Sequence, residues 1–529
     1  MSVPAALRRH AAGSLRLERQ RVALVPLAAA ALALLWLGFS LGARSLTLPD
    51  EGRYVGVAWE MLRSGNWLIP TENGLPFFHK PPLFYWLTAG SMSVFGTGAA
   101  AARLAPLLGA CLGALGLYLV ARRWAGERAA RWTLLVLLTQ PFFFGAAQFA
   151  NLDMLVAACI ALAILLAAHA SLLLRNGLPH RSALLGAWAA AAFGVLAKGL
   201  IGLVLPGLVV VLWLALSGQG RTILRLCWPA GPALFALIAA PWFIAVQARY
   251  PDFGHFFFVY QHFERFARSG FNNVQPWWFF AAVLPALTLP WSLWLLRSTF
   301  GARPGEPAEA TLWRRLMWVW LAAVLVFFSI PQSKPVGYAM PMLFPLAALC
   351  ADALLGQLDR GPAPAQLTRR LALASTALAV TICIATVTYF ALASHRNNIA
   401  LAQTLLRLRA PGEPVVFVGD YFFDVPLHAR LGEPVPVLSD WHDPAIARHD
   451  NWKRELAEAT PFAPQLAASL LVDEKTGLAL RCGHPRLWAV VKRDDEAGVA
   501  ALPEATRVAL AGSAALWRIE GNDCAPASP

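Results

Sequence analysis

The sequence predicts a polytopic α-helical membrane protein with a soluble α/β domain at its C-terminal end. Of its 529 residues, 58% are hydrophobic and only 14% are charged, a composition too apolar for an ordinary soluble multidomain protein. Apolar runs of membrane-spanning length recur along the chain, and every second loop between them is basic. Residues 395–529 lack such runs and contain short strand-like segments instead.

The apolar runs predict about eleven to thirteen transmembrane helices. The first, from Val22 to Ala43, lacks a cleavage site and is expected to be a retained helix. The other ten lie at about 103–121, 132–149, 152–174, 183–197, 199–217, 229–247, 277–296, 313–330, 336–356 and 371–393. Residues 1–21 are then a tail, residues 22–394 the transmembrane domain with a first loop at 44–102, and residues 395–529 the soluble domain.

The distribution of charge predicts the orientation. Lys and Arg outnumber the acidic residues by 44 to 30, but they lie in short alternate loops, as positive-inside topology requires, and do not indicate a nucleic-acid partner. The N-terminal tail, which holds Arg8, Arg9, Arg16, Arg19 and Arg21, is therefore predicted to be cytoplasmic. The alternation requires the segment from Leu83 to Phe95 to lie along the membrane, and it places the C-terminal domain outside.

Six loop motifs with unusual ionisable residues fall on the predicted outer side. They are LPDEGRY (48–54), FFHKPPLFYW (77–86), QFANLDM (148–154), AKG (197–199), FFFVYQHFERF (256–266) and QSKPVGY (332–338). Their convergence at one face, against the positive-inside trend, indicates a functional site. Charges at an interface favour interfacial chemistry over a lipid or sugar transporter, in which they would lie at the midplane, and a structural scaffold would need no such cluster.

Helical spacing of apolar residues after Asp50 predicts an interfacial helix. Asp50 either caps this helix or acts on a lipid head group from the membrane surface. Its neighbour Glu51 is more simply a solvated first-turn acid, although Glu51 and Tyr54 are also candidates for lining a substrate cavity.

The lysines of the motifs are candidates for binding phosphate. Lys80 precedes two prolines that stiffen the turn, which favours a phosphate partner over simple snorkelling. Asp153 and Lys198 lie at the ends of apolar runs, where an unpaired charge is costly. Asp153 therefore needs a cation, a metal or a water-filled cavity, and Lys198 could pair with Asp153 or meet a phosphate. Lys334 lies near the hydroxyl of Tyr338 in the sequence, but it is also well explained as an ordinary loop lysine without a functional role.

A divalent metal is a weaker prediction. His262 and Glu264 lie in an aromatic segment suited to lining a cavity, and His79 lies in another motif. Isolated histidines are weak metal signals, so His79 and His262 could contribute only to a dispersed site. The sequence has no Walker phosphate loop, dinucleotide fingerprint or Cys-x-x-Cys motif.

The C-terminal region is predicted to be a small α/β domain. Its strand-like segments are 415–419, 434–438, 487–492 and 515–520, and a helix-like stretch passes through Leu427 and Arg430. Cys482 and Cys524 are its two cysteines, and whether they form a disulfide is left open.

These motifs, in this order, resemble the bacterial aminoarabinose transferase family, which comprises membrane glycosyltransferases of the GT-C fold related to protein O-mannosyltransferases. The resemblance covers about residues 20–360, and LPDEGRY with HKPP makes it specific. It implies an undecaprenyl-phosphate donor, usually of 4-amino-4-deoxy-L-arabinose, and lipid A as the acceptor at the periplasmic face of the inner membrane. Another sugar, with a glycolipid, polysaccharide or protein acceptor, remains the alternative.

The resemblance also implies roles for individual residues. Asp50 matches the catalytic aspartate and Asp153 the second acidic position, whereas Arg53, Lys80 and Lys198 match residues that meet the carrier phosphate. Apart from the resemblance, Lys334 and Tyr338 are expected to support the residues that bind the phosphate, because fixed cations in a low-dielectric cavity stabilise a developing dianion. The family often has Glu where this chain has His79, which puts a metal at that position in question.

Overall fold

The computed structural model describes residues 25–264, 273–301, 303, 305–393, 397–446, 448, 451–482 and 484–521. Within these residues, six helices are long and apolar enough to cross a membrane. They are Leu104–Trp124, Leu152–Arg175, Ala230–Arg249, Ala308–Ser329, Val336–Leu358 and Pro362–Leu392. The predicted polytopic helical membrane protein is therefore confirmed, and the N-terminal arginines lie outside the described residues.

The other predicted runs are also helical in their greater part, although they are shorter or interrupted. Their helices are Val25–Gly38, Glu127–Thr139, Pro141–Ala147, Arg181–Lys198, Ile201–Leu216, Phe279–Leu287 and Ser292–Leu295. Proline accounts for the interruptions, because it lacks the N–H that an internal helix residue must donate. Pro141 begins one short helix, and Pro290 lies between two others. The number of helices that cross the membrane stays a prediction.

Three further segments connect or begin these helices. They are the helix Gly220–Leu226, the π-helix His255–Glu264 and the 3₁₀ segment Val336–Met342, which leads into Leu343–Leu358. The AKG motif is a tight helix-to-helix turn at Gly199, whose φ of 100° suits glycine. A β-carbon on Gly202 would overlap the backbone of Gly194. Small residues therefore let the two helices approach closely and fix Lys198 at the end of the first.

The first loop contains two main helices joined by a small hairpin. The helix Asp50–Ser64 confirms the helix predicted there, and Leu83–Phe95 and Ala99–Ala102 follow the hairpin strands β1 (Thr71–Glu72) and β2 (Leu75–Pro76). Leu83–Phe95 has 13 residues, so it is about 20 Å long, shorter than a hydrocarbon core of about 30 Å. Its length therefore agrees with the prediction that it does not cross.

The C-terminal domain is built on a six-stranded mixed sheet with the order β5-β4-β3-β6-β8-β7. The strands are β3 (Val415–Val418), β4 (Val437–Leu438), β5 (Leu471–Val472), β6 (Arg486–Lys492), β7 (Ala505–Ala511) and β8 (Ala514–Glu520). Strand β3 is parallel to β4 and β6, whereas β8 is antiparallel to β6 and β7. The sheet confirms the predicted α/β domain.

Helices cover this sheet. They are Ile399–Leu408, Val425–His428, Trp452–Glu458, Pro464–Leu470, Glu474–Leu478 and Glu496–Ala500. The sequence did not predict β5, which has two residues, or β7, which lies at a sheet edge with several exposed residues and so lacks a continuous apolar run. Cys482 takes part in a disulfide, but Cys524 lies outside the described residues, so their pairing stays a prediction.

Candidate active site

Glu51 anchors the first loop to the membrane helices. Its carboxylate has no solvent exposure. It accepts hydrogen bonds from Arg44 Nη1 at 2.5 Å and Arg103 Nε at 2.8 Å. The backbone N–H groups of Thr47 and Ala150 also donate to it, each at 2.8 Å. Both carboxylate oxygens are therefore paired.

The expectation that Glu51 is solvated was wrong, and its oxygens are held by structural partners rather than turned to a cavity. Burial acts to raise the pKa of Glu51, but Arg103 and Arg44 outweigh it and lower the pKa to about 2. Because Ala150 belongs to the QFANLDM motif, the contact ties that motif to LPDEGRY. Arg103 was not singled out from the sequence, although a basic residue on the predicted outer side was a usable signal.

Asp50 presents a carboxylate to solvent beside a guanidinium. It is the first residue of its helix, and Pro49 occupies the N-cap position, so Asp50 is not the cap residue. Its side chain is 59% exposed and lies 3.5 Å from Arg53 Nη2. The Arg53 guanidinium also lies 4.7 Å from the centre of the Tyr54 ring. Asp50 is thus accessible to a substrate.

Asp153 and Lys198 form an ion pair, which was one of the readings left open by the sequence. Lys198 Nζ also lies 4.7 Å from the centre of the Tyr338 ring. A β-carbon on Gly337 would overlap the Asp153 carboxylate, so the glycine of QSKPVGY makes room for that side chain. Three motifs that are distant in sequence therefore meet at this pair.

The Asp50–Arg53 pair and the Asp153–Lys198 pair belong to one site. Tyr54 interacts electrostatically with Arg53, Lys198 and Asp153, and burial raises the pKa of its hydroxyl. The site thus brings together Arg53 and Tyr54 from the first loop, Asp153 and Lys198 from the ends of two helices, and Tyr338 from the 3₁₀ segment. Four of the six motifs, LPDEGRY, QFANLDM, AKG and QSKPVGY, therefore meet at this site.

Lys334 is placed differently from Lys198. It is only 3% exposed, and its ammonium donates to the backbone carbonyls of Gln275, at 3.0 Å, and Pro331. These contacts favour a structural role for Lys334 over a role in binding phosphate. Lys80 is half-buried in the first loop, next to His79.

The C-terminal domain contributes two acidic side chains from the helix Trp452–Glu458. Glu455 Oε1 lies 2.5 Å from Arg53 Nη1, and Glu458 Oε2 lies 2.8 Å from His79 Nε2. Glu458 also accepts hydrogen bonds from the Tyr260 hydroxyl at 2.6 Å and from Arg454 Nε at 2.7 Å. This helix therefore closes over the first loop.

The sequence did not single out Glu455 or Glu458. They belong to a short amphipathic segment without a motif, and about 400 and 380 residues separate them from their partners in the first loop. Burial acts to raise the pKa of Glu458, but His79, Tyr260 and Arg454 together lower it to about 2. The carboxylate is accordingly held ionised.

A metal site stays a prediction. In the described part of the chain, no group of three or more His, Cys, Asp or Glu side chains could hold a metal ion. The Nδ1 atom of His79 is buried without a hydrogen-bond partner there, but its Nε2 atom is engaged by Glu458. The side chains of His262 and Glu264 lie outside the described residues, so their predicted roles are untested.

Comparisons with known proteins identify a matching family model and several similar proteins. The family model for dolichyl-phosphate-mannose-protein mannosyltransferase matches residues 79–244. Undecaprenyl phosphate-alpha-4-amino-4-deoxy-L-arabinose arabinosyl transferase 1 of Pseudomonas fluorescens (strain Pf0-1) is 34% identical over 321 residues. That match spans 60% of this chain and 55% of the relative, so little more than half of the relative's length is covered.

Two solved structures extend the comparison to the fold. The crystal structure of ArnT from Cupriavidus metallidurans bound to undecaprenyl phosphate is 25% identical, with a TM-score of 0.77 over 94% of this chain and 99% of that one. The oligosaccharyltransferase AglB from Archaeoglobus fulgidus is 14% identical, with a TM-score of 0.53 over 89% and 70%, and shares the fold alone. These likenesses confirm the GT-C fold and the resemblance to the aminoarabinose transferases.

Proposed function

We propose that this chain is an inverting, polyprenyl-phosphate-sugar-dependent glycosyltransferase of the inner membrane. It transfers 4-amino-4-deoxy-L-arabinose from undecaprenyl phosphate to lipid A at the periplasmic face. The observation that carries the proposal is that Arg53, which lies beside the exposed carboxylate of Asp50, and Lys198 both interact with Tyr54. The likeness to a structure bound to undecaprenyl phosphate supports the choice of carrier.

The cations of the site stabilise the leaving group. When the bond between the anomeric carbon and the phosphate oxygen breaks, the electron pair moves to the phosphate, and fixed cations in a low-dielectric site stabilise this developing charge. Arg53 and Lys198 are already held in place by Glu455 and Asp153. Because their positions are preset, little reorganisation is needed when the phosphate arrives. Lys80, at the rigid HKPP turn, supplies a third cation.

Asp50 acts on the acceptor, either as a general base or by orienting it. An acceptor oxygen attacks the anomeric carbon from the face opposite the phosphate, which inverts the configuration. If the acceptor is a hydroxyl, Asp50 takes its proton as general base; if it is a lipid A phosphate, that oxygen is already anionic and Asp50 orients the reactants. Its exposure of 59% leaves it accessible for either role.

The contacts of the C-terminal domain support a common location for the domain and the site. Glu455 and Glu458 both reach residues of the first loop, so the domain and the loop lie on the same side of the bilayer. A disulfide at Cys482 fits an oxidising compartment. Both observations support the periplasm as the place of reaction.

The test is mass spectrometry of lipid A from cells that express the protein and supply the aminoarabinose lipid. The wild type is expected to add a pentosamine mass, and Asp50→Asn to add none at equal protein level. Asp359→Asn is the matched control, because Asp359 is also exposed (62%) and paired with an arginine, Arg128, at 2.8 Å, and it should retain transfer. Full transfer by Asp50→Asn would refute the catalytic role of Asp50. If the wild type adds no mass to lipid A, the protein uses another sugar or another acceptor.

A further inference from the structure

A cluster of buried polar atoms without hydrogen-bond partners lies beside Arg53. Within the described part of the chain, the unpaired atoms of this cluster are Arg53 Nε, both carboxylate oxygens of Glu72, Glu455 Oε2 and the Tyr85 hydroxyl. Glu72 is 4% exposed and Tyr85 has no exposure. A buried polar group without a partner is strongly unfavourable. Several such groups in one place indicate that a polar ligand completes them.

These residues face one another although they come from different segments. Glu72 interacts electrostatically with Glu455 and Arg53, and Tyr85 with Arg53, Glu72 and Glu455. The hairpin, the two helices of the first loop and the C-terminal domain each contribute a side chain. The cluster exists only when the domain is docked on the loop.

The space available at the cluster fits one small group. A cavity of about 10 Å³ lies between the Asp50–Ser64 helix and the C-terminal domain. Its wall includes Arg53 and Glu72, together with Tyr421 and Phe423. This volume matches about one water molecule or one ammonium group. A sugar ring is too large for this cavity.

The cluster has more acidic groups than basic ones, so a bound cation would balance its charge. Two carboxylates, Glu72 and Glu455, share the single guanidinium of Arg53, which pairs with Glu455. Burial, reinforced by the charge of Glu455, raises the pKa of Glu72 well above its ordinary value. An entering ammonium group would donate to the unpaired oxygens and restore the balance of charge.

We propose that Glu72, Glu455 and the Tyr85 hydroxyl form the subsite that binds the amino group of the donor sugar. This inference rests on the proposed function. In a 4-amino-4-deoxypentose, the amine lies across the ring from the anomeric carbon, so a subsite for it should adjoin the residues that meet the phosphate. Arg53 belongs to the residues that meet the phosphate and also contacts Glu455 of the amine subsite. One of its terminal nitrogens lies against Glu455 and the other against Asp50.

The subsite would select amino sugars over neutral ones. A donor with a hydroxyl in place of the amine leaves Glu72 without a cationic partner and Glu455 with Arg53 alone, and a site built for a charged hydrogen bond discriminates strongly against a ligand that lacks it. We expect the wild type to prefer the amino donor by about tenfold to a hundredfold in kcat/KM.

The experiment compares kcat/KM for two donors on the full-length protein. One is undecaprenyl phosphate carrying 4-amino-4-deoxy-L-arabinose, and the other is its L-arabinose counterpart with a hydroxyl at C4. Glu72→Gln and Glu455→Gln are expected to reduce the amino-to-hydroxyl ratio by about tenfold or more. Glu413→Gln is the control, because Glu413 is equally buried but pairs with Trp488 and Ala410 inside the C-terminal domain.

The outcomes separate the subsite from the function. If the two variants lose activity equally on both donors, their role is structural and the subsite is refuted while the transferase function stands. If the wild type uses neither donor, the proposed function fails and the subsite fails with it. Should Glu72→Gln not accumulate, Tyr85→Phe removes only the hydroxyl, and an unchanged donor ratio there and in Glu455→Gln would overturn the inference.

Discussion

Glu51 and Glu72 are both buried carboxylates of the first loop, but their surroundings differ. Glu51 accepts hydrogen bonds from two arginines and two backbone N–H groups, whereas neither oxygen of Glu72 has a partner among the described residues. The pKa of Glu51 is lowered and that of Glu72 is raised. Burial alone therefore does not identify a functional acid, and hydrogen-bond satisfaction separates an anchor from a candidate binding group.

Lys334 and Lys198 show the same contrast. Lys334 is held by backbone carbonyls, whereas Lys198 faces a carboxylate and an aromatic ring inside the site. Carbonyl oxygens keep a lysine in a structural position, whereas a carboxylate in an open site can share its lysine with an incoming phosphate.

The largest expected effect is on the anchor. Glu51→Gln removes the charge that balances buried Arg103 and Arg44, and should lower the free energy of unfolding by about 3–5 kcal/mol. Chemical unfolding in detergent micelles measures this, with the exposed Glu433→Gln as control. A loss below about 1 kcal/mol would show that Glu51 is not an anchor.

The pH dependence of stability should have opposite signs for the two acids. The lowered pKa of Glu51, about 2 against an ordinary 4.5, contributes about 3 kcal/mol. This stability is present above pH 4.5 and lost as the pH falls towards 2, so the gap between wild type and Glu51→Gln should narrow over that range. The raised pKa of Glu72 means that wild type should lose stability relative to Glu72→Gln as the pH rises above 4.5. Unfolding measured across pH 2–7 checks both trends, and parallel curves would contradict them.

The different roles of Lys198 and Lys334 can be tested by measuring the rates of sugar transfer. Lys198→Met should lower kcat by about a hundredfold, because a donor to the leaving phosphate is lost. Lys334→Met should lower kcat by less than about tenfold and act chiefly on stability, since its partners are carbonyl groups. Initial rates with the aminoarabinosyl donor, together with unfolding curves, measure both, and equal losses of kcat would remove the distinction.

A smaller effect is expected where only the position of Asp153 changes. The methyl group of Gly337→Ala would displace the Asp153 carboxylate and should reduce kcat about tenfold. Gly207→Ala is the matched control, because open space surrounds that position within the apolar helix Ile201–Leu216. Unchanged kcat in Gly337→Ala would show that the site tolerates movement of Asp153.

Much of the site could be predicted because its motifs interrupt otherwise apolar sequence. Asp50, Arg53, Asp153 and Lys198 stand out where charge is costly, and the structure brings all four together. The environment of Glu51 could not be predicted in this way, since Arg103 reaches it only through the packing of the first loop against the following helix.

The sequence by itself determined the membrane helices, the helix at Asp50 and the main strands of the C-terminal domain, because apolar length and periodicity are local properties of the chain. The tertiary structure alone decided which charges are paired. Glu455 lies 402 residues from Arg53 in sequence and 2.5 Å from it in space. No local pattern encodes such a distance, and for this reason the contribution of the C-terminal domain to the site emerged only from the folded structure.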